Sequence, residues 1–193
     1  MAPFAQAILD KVTFSNDPNV QFIQWDAHPQ RGTLPIAAPI DTTNHRYEFN
    51  GQTIIVDIEG PPVALTRCNQ NRFNFNFAHG DTVLIGDNLP NSMPVHLVFV
   101  PPIRALGSQV SATGPVASDY LAQLRIVNAD TGRHEDVTTD GVLSRTRGSA
   151  PFLGVKTLNM ELISEAWFDV LDHKNQGVDF LRVAINDLFY LPR

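Results

Sequence analysis

The chain has a single cysteine, Cys68, in 193 residues. One cysteine excludes an intrachain disulfide and any Cys-rich zinc site, and Cys68 reads as a small hydrophobe at a strand end in preference to a reactive thiol. Long apolar runs are also missing: none approaches the roughly 18 residues that a membrane-spanning helix needs. The N-terminal stretch MAPFAQAILDK lacks the charged and long apolar regions of a secretory signal. Two expectations follow: a cytoplasmic chain, or a secreted or cell-surface one from which a signal has been removed. Positive charge is scarce, with 14 Lys and Arg against 20 Asp and Glu and a net charge of -6. The basic residues are scattered, so nucleic acid and other anionic partners are disfavoured. No H-E-x-x-H, G-x-S-x-G, phosphate-cradling glycine loop or Cys/His nucleophile pairing occurs.

What is present is core material and period-two patterning. Hydrophobic residues make up 43% and charged residues 18%, and 12 Phe supply much of the volume of a core. The length suits one domain over 1–193, since all-β units of about 200 residues are common. Phe4, Ile8 and Val12 are spaced like one face of a short N-terminal helix or arm over 1–11. Beyond them the pattern predicts strands near 12–15, 20–25, 45–50, 53–58, 72–77, 82–85, 94–99, 103–110, 119–128, 134–138, 152–156, 160–170 and 178–190. Asn50-Gly51 predicts a two-residue type I′ hairpin turn, Asp130-Thr131-Gly132 joins a second hairpin, and "TLPIAAPIDTT" (33–43), with two prolines, predicts a surface loop or edge crossing. About a dozen short strands without an intervening helix indicate an all-β sandwich of two antiparallel sheets.

The second half runs "GDTVLIGD", "PVHLVFVPPIRALGSQV", "YLAQLRIVNADTGRHEDV", "APFLGVKTLNMELISEAWFDVLD" and "VDFLRVAINDLFYL". This order resembles the jelly-roll domain of bacterial extracellular proteins, including those with a PEP-CTERM sorting tail. The features that carry the resemblance are Pro94, Gly107, Phe152-Leu153-Gly154-Val155 and Asp187-Leu188-Phe189, and it covers roughly residues 80 to 190. It implies a jelly-roll sandwich like that of many carbohydrate-binding modules. It departs from the pattern in that no apolar sorting tail follows Arg193, which leaves the family's export and anchoring route unsupported.

Candidate site residues fall in three groups. In the closing stretch, Leu181, Val183, Ile185, Phe189 and Leu191 alternate, and Asp187 shares their side. A buried carboxylate must be paired, hydrogen-bonded or metal-bound. The resemblance implies a structural calcium there, with Asp17 and Asn16 of "SNDPN" as further oxygen ligands; the alternatives are backbone N–H donors at a bulge, or an arginine. Second, in "RFNFNF" the phenylalanines point one way while Asn74 and Asn76 point the other. In "MELISEAWFDVL", Met160, Leu162, Ala166, Phe168 and Val170 share the core side, opposite Glu161, Ile163, Glu165, Trp167 and Asp169. Gln123 and Arg125 join them if their strand lies in the same sheet. Asn74, Asn76, Gln123, Arg125, Glu165 and Trp167 are what a sugar site needs, with planar polar groups for hydroxyls and an aromatic plate for C–H faces; the competing reading is a covered tryptophan beside ordinary solvated surface. Third, His79-Gly80-Asp81 reads as a hairpin turn in preference to a metal or acid–base site, and Glu161 and Glu165, about 13 Å apart along one strand face, exceed the ~6.5–9.5 Å of an inverting glycosidase pair.

The sequence therefore points to a non-enzymatic, lectin-like module for a carbohydrate or glycoconjugate, secreted or at a cell surface, with a structural calcium and a homo-oligomer for multivalent binding. Two alternatives stay open: a structural protein that self-associates through exposed strands and loops, and a hydrolase whose site is assembled from distant loops.

Overall fold

The computed structural model describes residues 2–25, 37–40, 45–57, 65–69, 76–78, 81–87, 94–144, 146–173 and 182–193. In chain order these form β1 (Ala5–Ile8), α1 (Lys11–Ser15), β2 (Gln21–Ile23), β3 (Ala37–Ile40), β4 (His45–Phe49), β5 (Gln52–Asp57), β6 (Leu65–Asn69), β7 (Thr82–Asp87), β8 (Val95–Ile103) and β9 (Ala105–Thr113). They continue as β10 (Asp119–Asn128), β11 (His134–Val142), β12 (Phe152–Thr157), β13 (Ile163–Asp172), β14 (Arg182–Ile185) and β15 (Leu188–Leu191). Among the described residues no helix is long and apolar enough to cross a membrane.

The pairings define two antiparallel sheets. One runs β1-β12-β9-β14-β7-β6-β3, with β15 beside β9 and β2 beside β15; the other runs β11-β10-β13-β8-β5-β4. Four neighbours in the first, β7-β14-β9-β12, and four in the second, β8-β13-β10-β11, are visited in the order of a jelly roll, the chain changing sheets after every strand except at the β10–β11 hairpin. The expected fold class is therefore present, and the other strands widen both sheets. Period-two patterning explains the packing: Leu84, Leu106, Val110 and Leu153 of one sheet meet Ile54, Leu97, Phe99, Leu124 and Phe168 of the other in one buried core. Tyr120 crosses that core to donate to the Val110 carbonyl at 2.9 Å, and burial raises its phenol well above the usual tyrosine range.

Turn chemistry behaves as the sequence predicts at both hairpins. Asn50 (φ 48) and Gly51 (φ 79) are both left-handed between the paired Phe49 and Gln52, the requirement of a type I′ turn. At the other hairpin the Asn128 side chain accepts from Asp130 N and Thr131 N, each at 3.0 Å, and Gly132 takes φ 67. Within "TLPIAAPIDTT", Ala37–Ile40 is the edge strand β3 with Pro39 opposite Thr66; a proline costs least on an edge.

The N-terminus reverses the expectation. Ala5–Ile8 is a strand beside β12, and the helix lies at Lys11–Ser15, where a strand was expected. Asp10 decides this: its carboxylate accepts from Val12 N at 3.1 Å and Thr13 N at 3.0 Å, an N-cap that starts a helix. Five residues are too few for a helix to stand alone. Phe14 anchors it by packing with Ala105, Phe152, Phe189 and Leu191 on the outer face of the larger sheet, a burial contributing about 2–3 kcal/mol.

Beneath Phe152, Gly107 of β9 lies opposite Gly154 of β12. A Cβ on Gly107 would stand 2.5 Å from Phe152 Cζ and 3.0 Å from Gly154 Cα, so the two glycines leave room for the ring.

Two further departures come from irregular backbone. Met160 is 74% exposed and Ile163 fully buried, the reverse of their expected sides. Asn159 and Met160 are left-handed (φ 52 and 63), and the pairing of β13 with β8 shifts register between Ile163 and Glu165; a bulge changes which face the preceding residues take. The final strand, expected as one, is β14 and β15 separated at Asn186-Asp187, pairing with the upper and lower halves of β9 in turn. The expected strand 72–77 lies outside the described residues up to 75, and Asn76-Phe77 form a bend.

Candidate functional site

The outer face of the smaller sheet carries a row of polar and aromatic side chains fixed by register. Trp167 of β13 pairs with Arg125 of β10 on one side and His96 of β8 on the other, and Arg125 pairs in turn with Asp136 of β11. Gln123 pairs with Asp169 in the adjacent row. Together Pro94, Gln123, Arg125, His134, Trp167 and Asp169 line a concavity of about 210 Å³.

Trp167 is half-buried, its ring stacked on His96 with centroids 4.3 Å apart and planes 3° apart, and the His134 ring lies 6.2 Å away. The indole N–H is buried and has no hydrogen-bond partner among the described residues, as is true of His96 Nδ1. Such groups call for water or a ligand, because a buried polar atom left unpaired costs about 1–3 kcal/mol. On the other side of the imidazole, Nε2 stands 3.0 Å from Glu165 Oε2. A carboxylate only accepts, so Nε2 donates in this contact.

Charge within the concavity is mixed. Arg125 Nε donates to Asp136 Oδ1 at 3.0 Å, which turns the guanidinium toward β11. Burial pushes the Asp169 carboxyl above the usual carboxylate range, against the lowering effects of a 2.8 Å bond from Val170 N and the nearby Arg125 charge. The lining thus offers an amide, a guanidinium, an imidazole, a carboxyl and an indole, donors and acceptors suited to a polyhydroxylated ligand.

The expected site residues separate as follows. Gln123, Arg125 and Trp167 come together in the concavity; Glu165 is half-buried beside it, bonded to His96. Asn74 lies outside the described residues. Asn76 is not on this face: it is fully buried, its Nδ2 donates to the Val142 carbonyl and its Oδ1 accepts from Ser144 N at 3.1 Å, so both amide atoms are spent on the β11–β12 connection. His134 and Asp169 are lining residues that sequence reasoning left out of the site. The hairpin register that puts His134 opposite Val127 was the available signal for the first, and the alternation that sets Asp169 on the Trp167 side of its strand was the signal for the second.

The residues expected to hold calcium have these surroundings. Asp17 Oδ1 accepts from Asn19 N at 3.0 Å and Oδ2 from Lys156 Nζ at 3.2 Å; these bonds, the Asn19 one first, hold the carboxyl below its ordinary range. Asn16 is the exposed C-cap of α1. Asp187 is half-buried in the break between β14 and β15 and engaged in a polar interaction. Among the described residues no group of three or more His, Cys, Asp and Glu converges. The residue that organises the break is its neighbour Asn186, 1% exposed. Its Oδ1 accepts from Gln109 N (3.2 Å), its Nδ2 donates to Gln109 Oε1 (2.8 Å) and Asp81 Oδ2 (3.2 Å), and its carbonyl accepts from the buried Trp25 indole. At the turn before β7, Asp81 N donates to the Ala78 carbonyl at 3.3 Å and Asp81 Oδ2 accepts from Ala78 N at 3.2 Å; His79 and Gly80 lie outside the described residues.

Fold and site together define a jelly-roll β-sandwich with a polar, aromatic concavity on the outer face of its smaller sheet. No protein-family model and no curated protein matches the chain. Among solved structures it is similar to a DUF4465 family protein from Bacteroides caccae ATCC 43185, at 10% identity and a TM-score of 0.44, over 97% of this chain and 100% of that one.

Proposed function

We propose that the chain is a non-enzymatic binding module that takes a terminal sugar residue in the Gln123–Arg125–Trp167 concavity, on an extracellular or cell-surface protein of the kind its sequence resembles. The observation that carries this reading is the unpartnered indole N–H of Trp167 in a concavity lined by Gln123, Arg125, His134 and Asp169. The volume, about 210 Å³, is below the roughly 300–1,000 Å³ of pockets for drug-sized ligands, which suits one sugar ring better than an oligosaccharide. A single small site of this kind binds weakly, and display of several copies raises avidity.

A glycan array probed with the wild-type protein, Trp167→Ala and Arg125→Ala tests the reading. Selective binding by the wild type, lost in both variants while their melting midpoints stay near its own, is the expected result; binding to no glycan, or equal binding by all three, refutes it. Melting the protein with calcium and with chelator tests the structural calcium at Asp187, Asp17 and Asn16, and an unchanged midpoint removes it.

A second reading, self-association, is favoured by the apolar surface around α1. Val12 and Phe22 are 63% and 51% exposed, and the Phe22 ring lies 6.1 Å from Phe189. Light scattering on the wild type and Phe22→Ser, read beside the glycan array, distinguishes the two readings: an oligomer dissolved by that substitution, of a chain that binds no glycan, supports assembly.

A further inference from the structure

We infer that a second, larger cavity, built on the other sheet, binds a small hydroxylated carboxylate of the size of an acidic monosaccharide. The cavity measures about 640 Å³ and shares no lining residue with the Trp167 concavity, so it stands independently of the function proposed above. It is lined by the turn after α1, the start of β2, the bend between β8 and β9, the end of β12, Met160 in the turn that follows, and the residues from Leu191 onward.

Arg104 is its centre. The backbone here is pinned on both sides, since Arg104 N donates to the Leu191 carbonyl and the Arg104 carbonyl accepts from Thr157 N, each at 2.8 Å. The side chain starts from a fixed point, yet its Nε is buried and has no hydrogen-bond partner among the described residues. With Nε buried, the part of the guanidinium open to a ligand is its Nη pair, which makes no hydrogen bond among the described residues and whose planar donors match a carboxylate with two parallel hydrogen bonds.

The surroundings strengthen the attraction for an anion. Lys156 and Asp17 largely cancel each other at 3.2 Å, while Arg104 adds positive charge with no further acidic side chain in the lining. A locally basic cavity thus sits on a chain of net charge -6. Asn19 and Thr157 supply groups for hydroxyls, and Gln21, whose Oε1 is taken by the Tyr190 hydroxyl at 2.7 Å, has amide hydrogens that no acceptor among the described residues takes. Met160, 74% exposed on a left-handed residue, and Leu191 form the apolar wall. A bare oxyanion would leave these polar groups unused, whereas the hydroxyls of a hexuronate, alone or at the end of a longer acidic saccharide for which the volume leaves room, engage them.

The test is an NMR titration of the full ¹⁵N-labelled chain with glucuronate, glucose and inorganic phosphate. Expected are saturable shifts at Asn19, Thr157 and Leu191 with glucuronate and none with glucose, a Kd at least tenfold weaker in Arg104→Gln, and an unchanged Kd in Trp167→Ala. If Arg104→Gln fails to fold, Lys156→Gln replaces it with a several-fold weakening expected. No saturable shift, shifts that map to the Trp167 face instead, equal affinity in the cavity variant, or phosphate binding as tightly as glucuronate each overturn the inference.

Discussion

Replacing Asn186 by alanine should be among the costlier single changes in the molecule for its size. The variant leaves the Gln109 amide N–H without its 3.2 Å acceptor and Gln109 Oε1 without its 2.8 Å donor. An N–H left unpaired costs about 1–3 kcal/mol and a lost hydrogen bond about 1. Gln109 is half-buried, which favours the lower part of that range, while the longer contacts to Asp81 and Ser108 Oγ (3.2 and 3.4 Å) add a fraction. The total is about 3 kcal/mol, or a fall in melting midpoint of about 6–12 °C for a domain of this length. Trp25 is unaffected in this account because it donates to the backbone carbonyl of Asn186.

Asn186→Asp separates this hydrogen-bond account from simple loss of packing. The aspartate keeps the acceptor facing Gln109 N but sets a carboxylate oxygen against Gln109 Oε1 and Asp81 Oδ2. Rotating the Gln109 amide would not help, because its Nε2 already donates to the Ala150 carbonyl at 2.9 Å. Burial and the neighbouring carboxylate raise the folded-state pKa of the new group above the ~3.9 of the unfolded chain. The native state then keeps a proton that the unfolded state has lost, so stability falls as pH rises from about 4 through the raised value. Urea denaturation at pH 4.5 and 7.5 reads this out: the deficit of Asn186→Asp relative to wild type should be clearly larger at 7.5. A deficit equal at both pH values, or a cost for the alanine variant under about 1 kcal/mol, would refute the reasoning.

Two more predictions concern packing and titration. Gly107→Ala should destabilise by about 1–3 kcal/mol, because its Cβ meets a ring that can rotate and a backbone that cannot; in a Phe152→Ala background the penalty should shrink, and strict additivity in a double-mutant cycle would show that the ring is not the obstacle. Asp169→Asn keeps an acceptor for Val170 N and removes a carboxyl whose pKa is raised by burial. That carboxyl's ionisation opposes folding as pH rises above about 4, so the asparagine variant should be the more stable protein at pH 7, with the gap closing toward pH 4; a wild type that is more stable at pH 7 would contradict the assignment.

The jelly roll was legible in the sequence because its strands are amphipathic and its turns chemically marked. Alternation placed Leu124, Phe168 and Val170 inside, and Asn50-Gly51 fixed a register. What was not legible came from local side-chain bonds that overrule periodicity. Asp10 caps a helix where Val12 and Phe14 suggested a strand, the register shift after Ile163 reverses two residues' faces, and Asn186 breaks a strand that alternation extends. The same limits apply to the candidate site. Gln123, Arg125 and Trp167 share a face because period two holds through β10 and the second half of β13. Asn76 left that face because the chain bends there, and its amide serves the backbone.

The divided last strand has a consequence for how the molecule comes together. β9, near the middle of the chain, has β12 along one edge, and along the other its partners among the described residues are β14 and β15, which are synthesised long after it. Until they arrive, a strand from the middle of the larger sheet presents open N–H and C=O groups to whatever is near, the condition under which β-proteins mispair and aggregate. Neither of its late partners exceeds four residues, so each has little grip alone. Closure of the larger sheet is therefore a late, cooperative event, and the rate at which the β14–β15 segment docks sets how long a new chain remains vulnerable.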